Sequence, residues 1–114
     1  MGNIYRFVEP VILFMLKEKG RSYGYDLAAG MKDHALTDSE IEGAALYRTL
    51  RRLEQNGFVK SHWNASEAGP KRRTYTLTKN GERHLEEWSE VLEHLSRSMQ
   101  RFVRKCRGSV KPPL

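Results

Sequence analysis

Leu85, Trp88, Leu92, Leu95, Met99, Phe102 and Cys106 are separated by 3, 4, 3, 4, 3 and 4 residues, a heptad seam of period 3.5. That spacing fits one face of a continuous helix and no strand. Val91 and Val103 widen the stripe. A helix over 79–107 would run about 42 Å at 1.5 Å per residue, more than a chain of 114 residues needs to cover its own core. The stripe must be buried against something, and a helix from a second copy is the economical answer. Each Leu or Phe buried there would contribute about 1.5–3 kcal/mol. Leu85, Trp88, Leu92, Leu95, Met99 and Phe102 are therefore the expected dimer interface. One Arg stands against five Glu from Asn80 to Glu93, and six basic residues with no acid follow from His94 onward. This order suits the helix dipole.

A second stretch, Gly43 to Thr78, reads as a helix followed by a β-hairpin. Leu46, Leu50 and Leu53 recur at i, i+4 and i+7 and share a helix face, which leaves Arg48, Arg51, Arg52 and Gln55 on the opposite arc. Asn56-Gly57 supplies the stop. Phe58, Val59 and Trp63 bound a short strand, 64–70 is turn chemistry, and Thr74 to Thr78 alternates around Tyr75 and Leu77 as the returning strand. Between Arg48 and Lys79 eight Lys and Arg stand against two acids, a surplus equal to the net charge of +6 for the whole chain. The positive charge is localised, and with a pI near 9.7 it points to a polyanion, nucleic acid before membrane.

Upstream, Val8, Val11, Ile12, Met15 and Leu16 follow helical spacing, with Pro10 tolerated near the start and Gly20 closing the segment. Ser22 is the expected cap of a second helix carrying Tyr23, Leu27 and Met31, with Gly24 and Ala28 small enough for a close crossing. In the connector, Thr37 with Glu40 and Ser39 with Glu42 form two overlapping capping boxes, either of which can start the third helix. Thr78 is placed to cap the fourth. The fold class is mainly α with a small β-hairpin: a winged helix-turn-helix over 1–78, a dimerisation helix over 79–107 and a disordered tail over 108–114.

Several classes are disfavoured. One cysteine excludes an intrachain disulfide and a Cys-rich zinc site and suits a reducing cytoplasm. The apolar run from Val8 to Leu16 is too short to span a bilayer and contains Glu9 and Pro10, so no membrane partner is expected. The four histidines are dispersed, and Glu90 with His94 lacks a third ligand. No phosphate loop or nucleophile–base motif is visible, so neither enzyme activity nor a cofactor is expected. Trp63 reads as a packing residue. Trp88 is open to two roles: filling the dimer interface, or stacking with its symmetry mate on a planar molecule.

Leu46-Tyr47, Arg52-Leu53-Glu54, Gly57, Trp63, Gly69, Lys71 to Arg73, Tyr75, Leu77-Thr78 and Gly81, together with Ser22-Tyr23-Gly24-Tyr25-Asp26-Leu27, resemble the PadR family of bacterial transcriptional regulators. The final helix with Trp88-Ser89 is similar to its small, single-helix subgroup, which includes multidrug-sensing members. The resemblance implies a homodimeric winged helix-turn-helix repressor on a pseudo-palindromic double-stranded operator, released in some members by a planar aromatic or phenolic effector. Carried over by position, Tyr47, Arg48, Arg51, Arg52, Ala44 and Ala45 would meet the major groove, and Lys71, Arg72 and Arg73 the flanking backbone. Trp88, Val11, Met15 and Leu92 would line an effector site. The chain departs from the pattern at Ala44-Ala45, where many relatives carry a hydroxyl before the Leu-Tyr pair. The competing class is a winged-helix module whose third helix and wing meet a protein.

Overall fold

The structure, a computed structural model, describes residues 7–34, 43–64 and 72–109. Both connector capping boxes and Lys71 lie outside them, as does the tail from residue 110. The first helix, α1 (Val8–Lys19), is apolar on nearly every side, and it sits at the centre of the fold. Ile12, Leu13, Met15 and Leu16 are fully buried, as expected of a helix surrounded by neighbours rather than lying on a surface. Gly20 ends it at φ 81°, donating its N–H to the Leu16 carbonyl at 2.8 Å.

Ser22 does not cap the next helix. Ser22 and Tyr23 form a two-residue strand, β1 (Ser22–Tyr23), that pairs antiparallel with the returning wing strand, Ser22 opposite Tyr75 and Tyr23 opposite Thr74. The helix α2 (Gly24–Gly30) then starts from an extended Tyr23 with no side-chain cap. Tyr23 accordingly leaves the helix face assigned to it, and Met31, still buried, falls in the 3₁₀ turn Met31–His34.

The third helix, α3 (Gly43–Gln55), buries Leu46, Leu50 and Leu53. It ends in a Schellman motif: Phe58 donates to the Leu53 carbonyl at 2.9 Å and Gly57, at φ 79°, to that of Glu54 at 3.0 Å. The hairpin strands β2 (Val59–Asn64) and β3 (Arg72–Leu77) run in register from Val59 opposite Leu77 to Asn64 opposite Arg72. With β1 they make a three-stranded antiparallel sheet of order β1-β3-β2, one strand more than the expected hairpin.

Thr78 caps the last helix, α4 (Lys79–Ser109). Its Oγ1 accepts the Gly81 N–H at 3.0 Å and donates to the Gly57 carbonyl at 2.7 Å, tying the start of α4 to the end of α3. The helix runs two residues past the expected end. Its first turns pack on α1 through His84, Leu85 and Trp88, all half-buried, while Val91, Met99, Phe102 and Val103 are exposed on the single chain. No helix among the described residues is long and apolar enough to cross a membrane.

Candidate nucleic-acid interface and the adjoining cleft

The exposed arc of α3 has two flanks set by helical spacing. Tyr47, Arg51 and Glu54 lie at i, i+4 and i+7 on the wing side; Arg48, Arg52 and Gln55 repeat the spacing on the side nearer α1. Tyr47, Arg48, Arg51, Arg52 and Ala44 are all exposed. Ala45 is not: it is buried at 4%, and its carbonyl accepts the Thr49 hydroxyl at 2.8 Å. The 100° step from Ala44 turns it into the body of the protein, so the expectation that Ala45 meets DNA is corrected.

Carboxylates hold two of the expected cations in place. Glu54 accepts the Arg73 guanidinium at 2.8 Å, and its other oxygen takes the Ser61 N–H at 3.1 Å together with the Ser61 hydroxyl. The third helix and the wing are thereby fixed to each other. Arg52 reaches Glu9 on α1 at 3.3 Å. Arg48, Arg51 and Arg72 have no carboxylate partner among the described residues. Trp63 was expected to pack; instead it stands 63% exposed, with the Arg73 guanidinium 5.6 Å from its ring centroid. Val59, Ser61 and Trp63 share one sheet face, covered at its root and open toward the tip.

Glu9 is a junction that sequence reasoning did not find. Besides Arg52, its carboxylate accepts the Trp88 indole N–H at 3.0 Å and contacts His84 Nε2. The His84 ring in turn stacks on Phe58 at 4.0 Å. One side chain of α1 therefore joins α3 and α4, while His84 extends the link to the residue preceding β2. Burial alone would raise the Glu9 pKa, but the hydrogen bonds from Trp88 and His84 and the nearby His84 and Arg52 charges outweigh it, leaving the pKa below the ordinary 4.5. A depressed carboxylate pKa contributes stability that is present above the unfolded value and lost as pH falls through the folded one. Glu9→Gln is expected to lower unfolding free energy at pH 7 by about 1–3 kcal/mol, the largely exposed Arg52 pair adding little. Urea titrations should show that gap closing below pH 4; a gap of constant size down to pH 3 would contradict the charge assignment.

The sequence model of the transcriptional regulator PadR-like family matches residues 12–87, more than half of the chain and all of the elements just described from α2 to the wing. The chain belongs to the PadR-like family of transcriptional regulators. A transcriptional regulator from Clostridium thermocellum superposes with a TM-score of 0.78 at 28% identity, covering 90% of this chain and 97% of that one. Bacillus subtilis PadR, solved in complex with operator DNA, superposes at 0.63 with 26% identity over 72% of this chain and 46% of that longer protein. An uncharacterized protein of Lysinibacillus sphaericus is 29% identical over 97 residues, 82% of this chain and 88% of that one.

In this PadR-like chain an apolar cleft of about 260 Å³ lies between α1 and α4. Trp88, Val11 and Leu92, three of the four residues named above for an effector site, line it together with Pro10, Phe14, His34, Leu85 and Ser89. Met15 does not belong. It is fully buried, and its sulfur lies against Gly30, where an added Cβ would meet it at 3.2 Å. Val11 and Met15 share a helix face, but the cleft opens on Val11 and Phe14, whereas Met15, one turn beyond Val11, faces Gly30. Phe14, 42% exposed and edge-on to His34 at 5.2 Å, was the signal available in sequence: an apolar side chain off the core stripe.

Proposed function

We propose that this PadR-like regulator is a homodimeric repressor of a pseudo-palindromic operator, with one α3 per major groove and the wing on the flanking backbone. The observation that carries the reading is the joint exposure of Arg48 and Arg51 on α3 and Arg72 on a wing locked to α3 through Glu54 and Arg73. Guanidinium groups on the groove side can pair bidentately with guanine, while wing cations neutralise phosphate. The operator complex of the B. subtilis relative supports the same partner here. Dimerisation through the exposed apolar face of α4 would set two recognition helices about 34 Å apart, or a multiple of it. The chain divides on this reading into a DNA-binding unit ending near Thr78 and a dimerisation helix after it.

The cleft beside Trp88 is where a planar aromatic effector would enter, since Trp88 is linked through Glu9 to Arg52 on α3. The test is titration of the protein with a duplex from upstream of its own gene. If a dimer covers about six phosphates, the log–log salt slope should be near −5 from ~0.9 per phosphate. Arg48→Ala should relax sequence preference by about 1–3 kcal/mol at one base pair. Binding independent of salt, or none, would overturn the reading in favour of a protein-interaction module. For the effector, flat aromatic compounds should quench Trp fluorescence and release the duplex in the wild type but not in Trp88→Ala; an unchanged response in that variant would remove Trp88 from the site.

A further inference from the structure

The hold of α4 on the rest of the molecule is narrow. Thr78, Gly81, Leu85 and Trp88 fall at i, i+3, i+7 and i+10 and share one helix face. Two supports meet that face. At the root, Thr78 caps the helix and donates to the Gly57 carbonyl, while Gly81 passes so near the Phe58 carbonyl that a Cβ has no room. Two turns further on, Glu9 of α1 accepts the Trp88 indole N–H at 3.0 Å on Oε1, the same oxygen that contacts His84 Nε2. The His84 ring lies within 9° of parallel to Phe58, so both supports are tied to one residue. Beyond Trp88, every side-chain hydrogen bond of α4 among the described residues stays within the helix itself.

Apolar packing does not fix the angle of α4. Among the described residues no hydrophobic side chain of α4 is fully buried; Leu85 and Trp88 are only partly covered. Contact of that kind is adhesive but non-directional. The Glu9 side chain, by contrast, is only 14% exposed, and its hydrogen bonds have a set length and direction. The root is a pivot, and Glu9 is the stay that holds the helix at one angle to it.

Resting on the dimeric DNA-binding reading above, we infer that Glu9 determines which half-site spacing the protein accepts. In a dimer joined through α4, the angle between each α4 and its own α3 sets where the two recognition helices stand. One base pair inserted between half-sites turns one against the other by about 34°, or about 17° for each subunit to absorb. Trp88 lies about 10 Å beyond Gly81 along the axis, so a swing of that size about the root carries it about 3 Å. The hydrogen bond to Glu9, 3.0 Å long, does not survive such a move. With Glu9 present the swing is resisted; without it only the partial apolar cover opposes it. Glu9 acts through α4, as a positioning residue, and leaves base preference to α3.

The test measures anisotropy of the full-length protein on a labelled duplex from upstream of its own gene, and on derivatives with one or five base pairs inserted at the pseudo-dyad. Wild type should bind the one-pair derivative at least about 100-fold more weakly, the avidity lost when two sites cannot be engaged together. Glu9→Ala should cut that penalty to about 10-fold or less, while binding the unaltered duplex within about threefold of wild type, since a freer arm spends less time at the right angle. Arg52, released from its carboxylate, acts on all three duplexes alike and cancels from the ratio. Glu9→Gln can keep an oxygen where Oε1 stands and should restore most of the penalty. Trp88→Phe, which keeps a ring and removes the N–H, should lower the penalty roughly 3- to 10-fold, as loss of one hydrogen bond would, and it carries the comparison if the alanine variant does not fold. Ile12→Val, a buried change in the same helix, should keep the wild-type ratio; an equal loss there would assign the effect to loosened packing and overturn the inference. The five-pair insertion puts the half-sites on opposite faces, and wild type and Glu9→Ala should both lose affinity for it. A Glu9→Ala protein that binds it as well as the unaltered duplex no longer engages two half-sites, which also overturns the inference. Wild-type discrimination in both Glu9→Ala and Trp88→Phe would remove Glu9 from this role and leave the DNA-binding reading intact. If wild type binds none of the duplexes, that reading falls and this inference falls with it.

Discussion

Gly81→Ala is expected to destabilise the protein by about 3 kcal/mol or more, although alanine is the better helix former. Alanine inside a helix gains roughly 0.8–1 kcal/mol over glycine. Here the added Cβ would stand 2.0 Å from the Phe58 carbonyl oxygen and 2.6 Å from a Leu77 methyl. The carbonyl is backbone and cannot rotate aside. It accepts the Thr78 N–H at 3.1 Å, in the same junction where Thr78 caps α4 and bonds Gly57. Relieving the clash would pull α4 off the root of the wing. For a chain of this size the melting temperature should fall by roughly 10–20 °C, read by circular dichroism at a fixed protein concentration because dimerisation would shift it. Gly57→Ala serves as the control. Nothing lies within 4 Å of its added Cβ, but φ of 79° is strained for alanine, and the cost should be about 1–2 kcal/mol. If Gly81→Ala were the milder of the two, the close approach of α4 to the wing root would be wrong.

The parts of this fold legible in sequence are those with a period. The leucine face of α3, the core stripe of α1 and the heptad seam of α4 each repeat often enough for one residue's position to fix the next. β1 has no such repeat. Two residues form a strand here only because β3 pairs with them, and locally Ser22 looks like a helix cap. Trp63 shows the limit of alternation: it shares a face with buried Val59 but lies too far toward the wing tip to be covered. Ala45 shows the limit of positional analogy, since a neighbour in sequence is a different direction on a helix. The Glu9 junction was the least accessible. Its partners Arg52, His84 and Trp88 are 43, 75 and 79 residues away, and nothing local distinguishes Glu9 from a solvated acid in a first helical turn. The arginine assignments divide for the same reason. Spacing placed Arg48, Arg51 and Arg52 on one arc, but only tertiary packing reveals that Arg52 has a carboxylate beside it.

Replacing Met99 and Phe102 together by glutamate is expected to leave the folded chain intact and abolish the proposed dimer. In the single chain these side chains are 54% and 65% exposed, and neither belongs to the core that α1 organises. Exposed substitutions away from packed features change stability by no more than about 0.5 kcal/mol. The helix should tolerate the new acids, with Arg101, Arg104 and Lys105 close by in sequence. Against a second copy the outcome reverses. Four carboxylates would enter an apolar seam, each losing hydration without a partner placed to replace it. Light scattering coupled to size exclusion should find a dimer for the wild type at micromolar concentration and a monomer for the double variant. Duplex affinity should fall by at least about 100-fold, because the second half-site is then no longer held at high effective concentration. The salt slope should drop toward half, since each monomer brings only its own arginines to the phosphates. Those readouts separate the two roles assigned to the chain. A variant that is monomeric yet binds as tightly as wild type would show that one recognition helix suffices. A variant that stays dimeric would move the interface off the distal half of α4, leaving the stretch from Leu85 to Leu95 to make it.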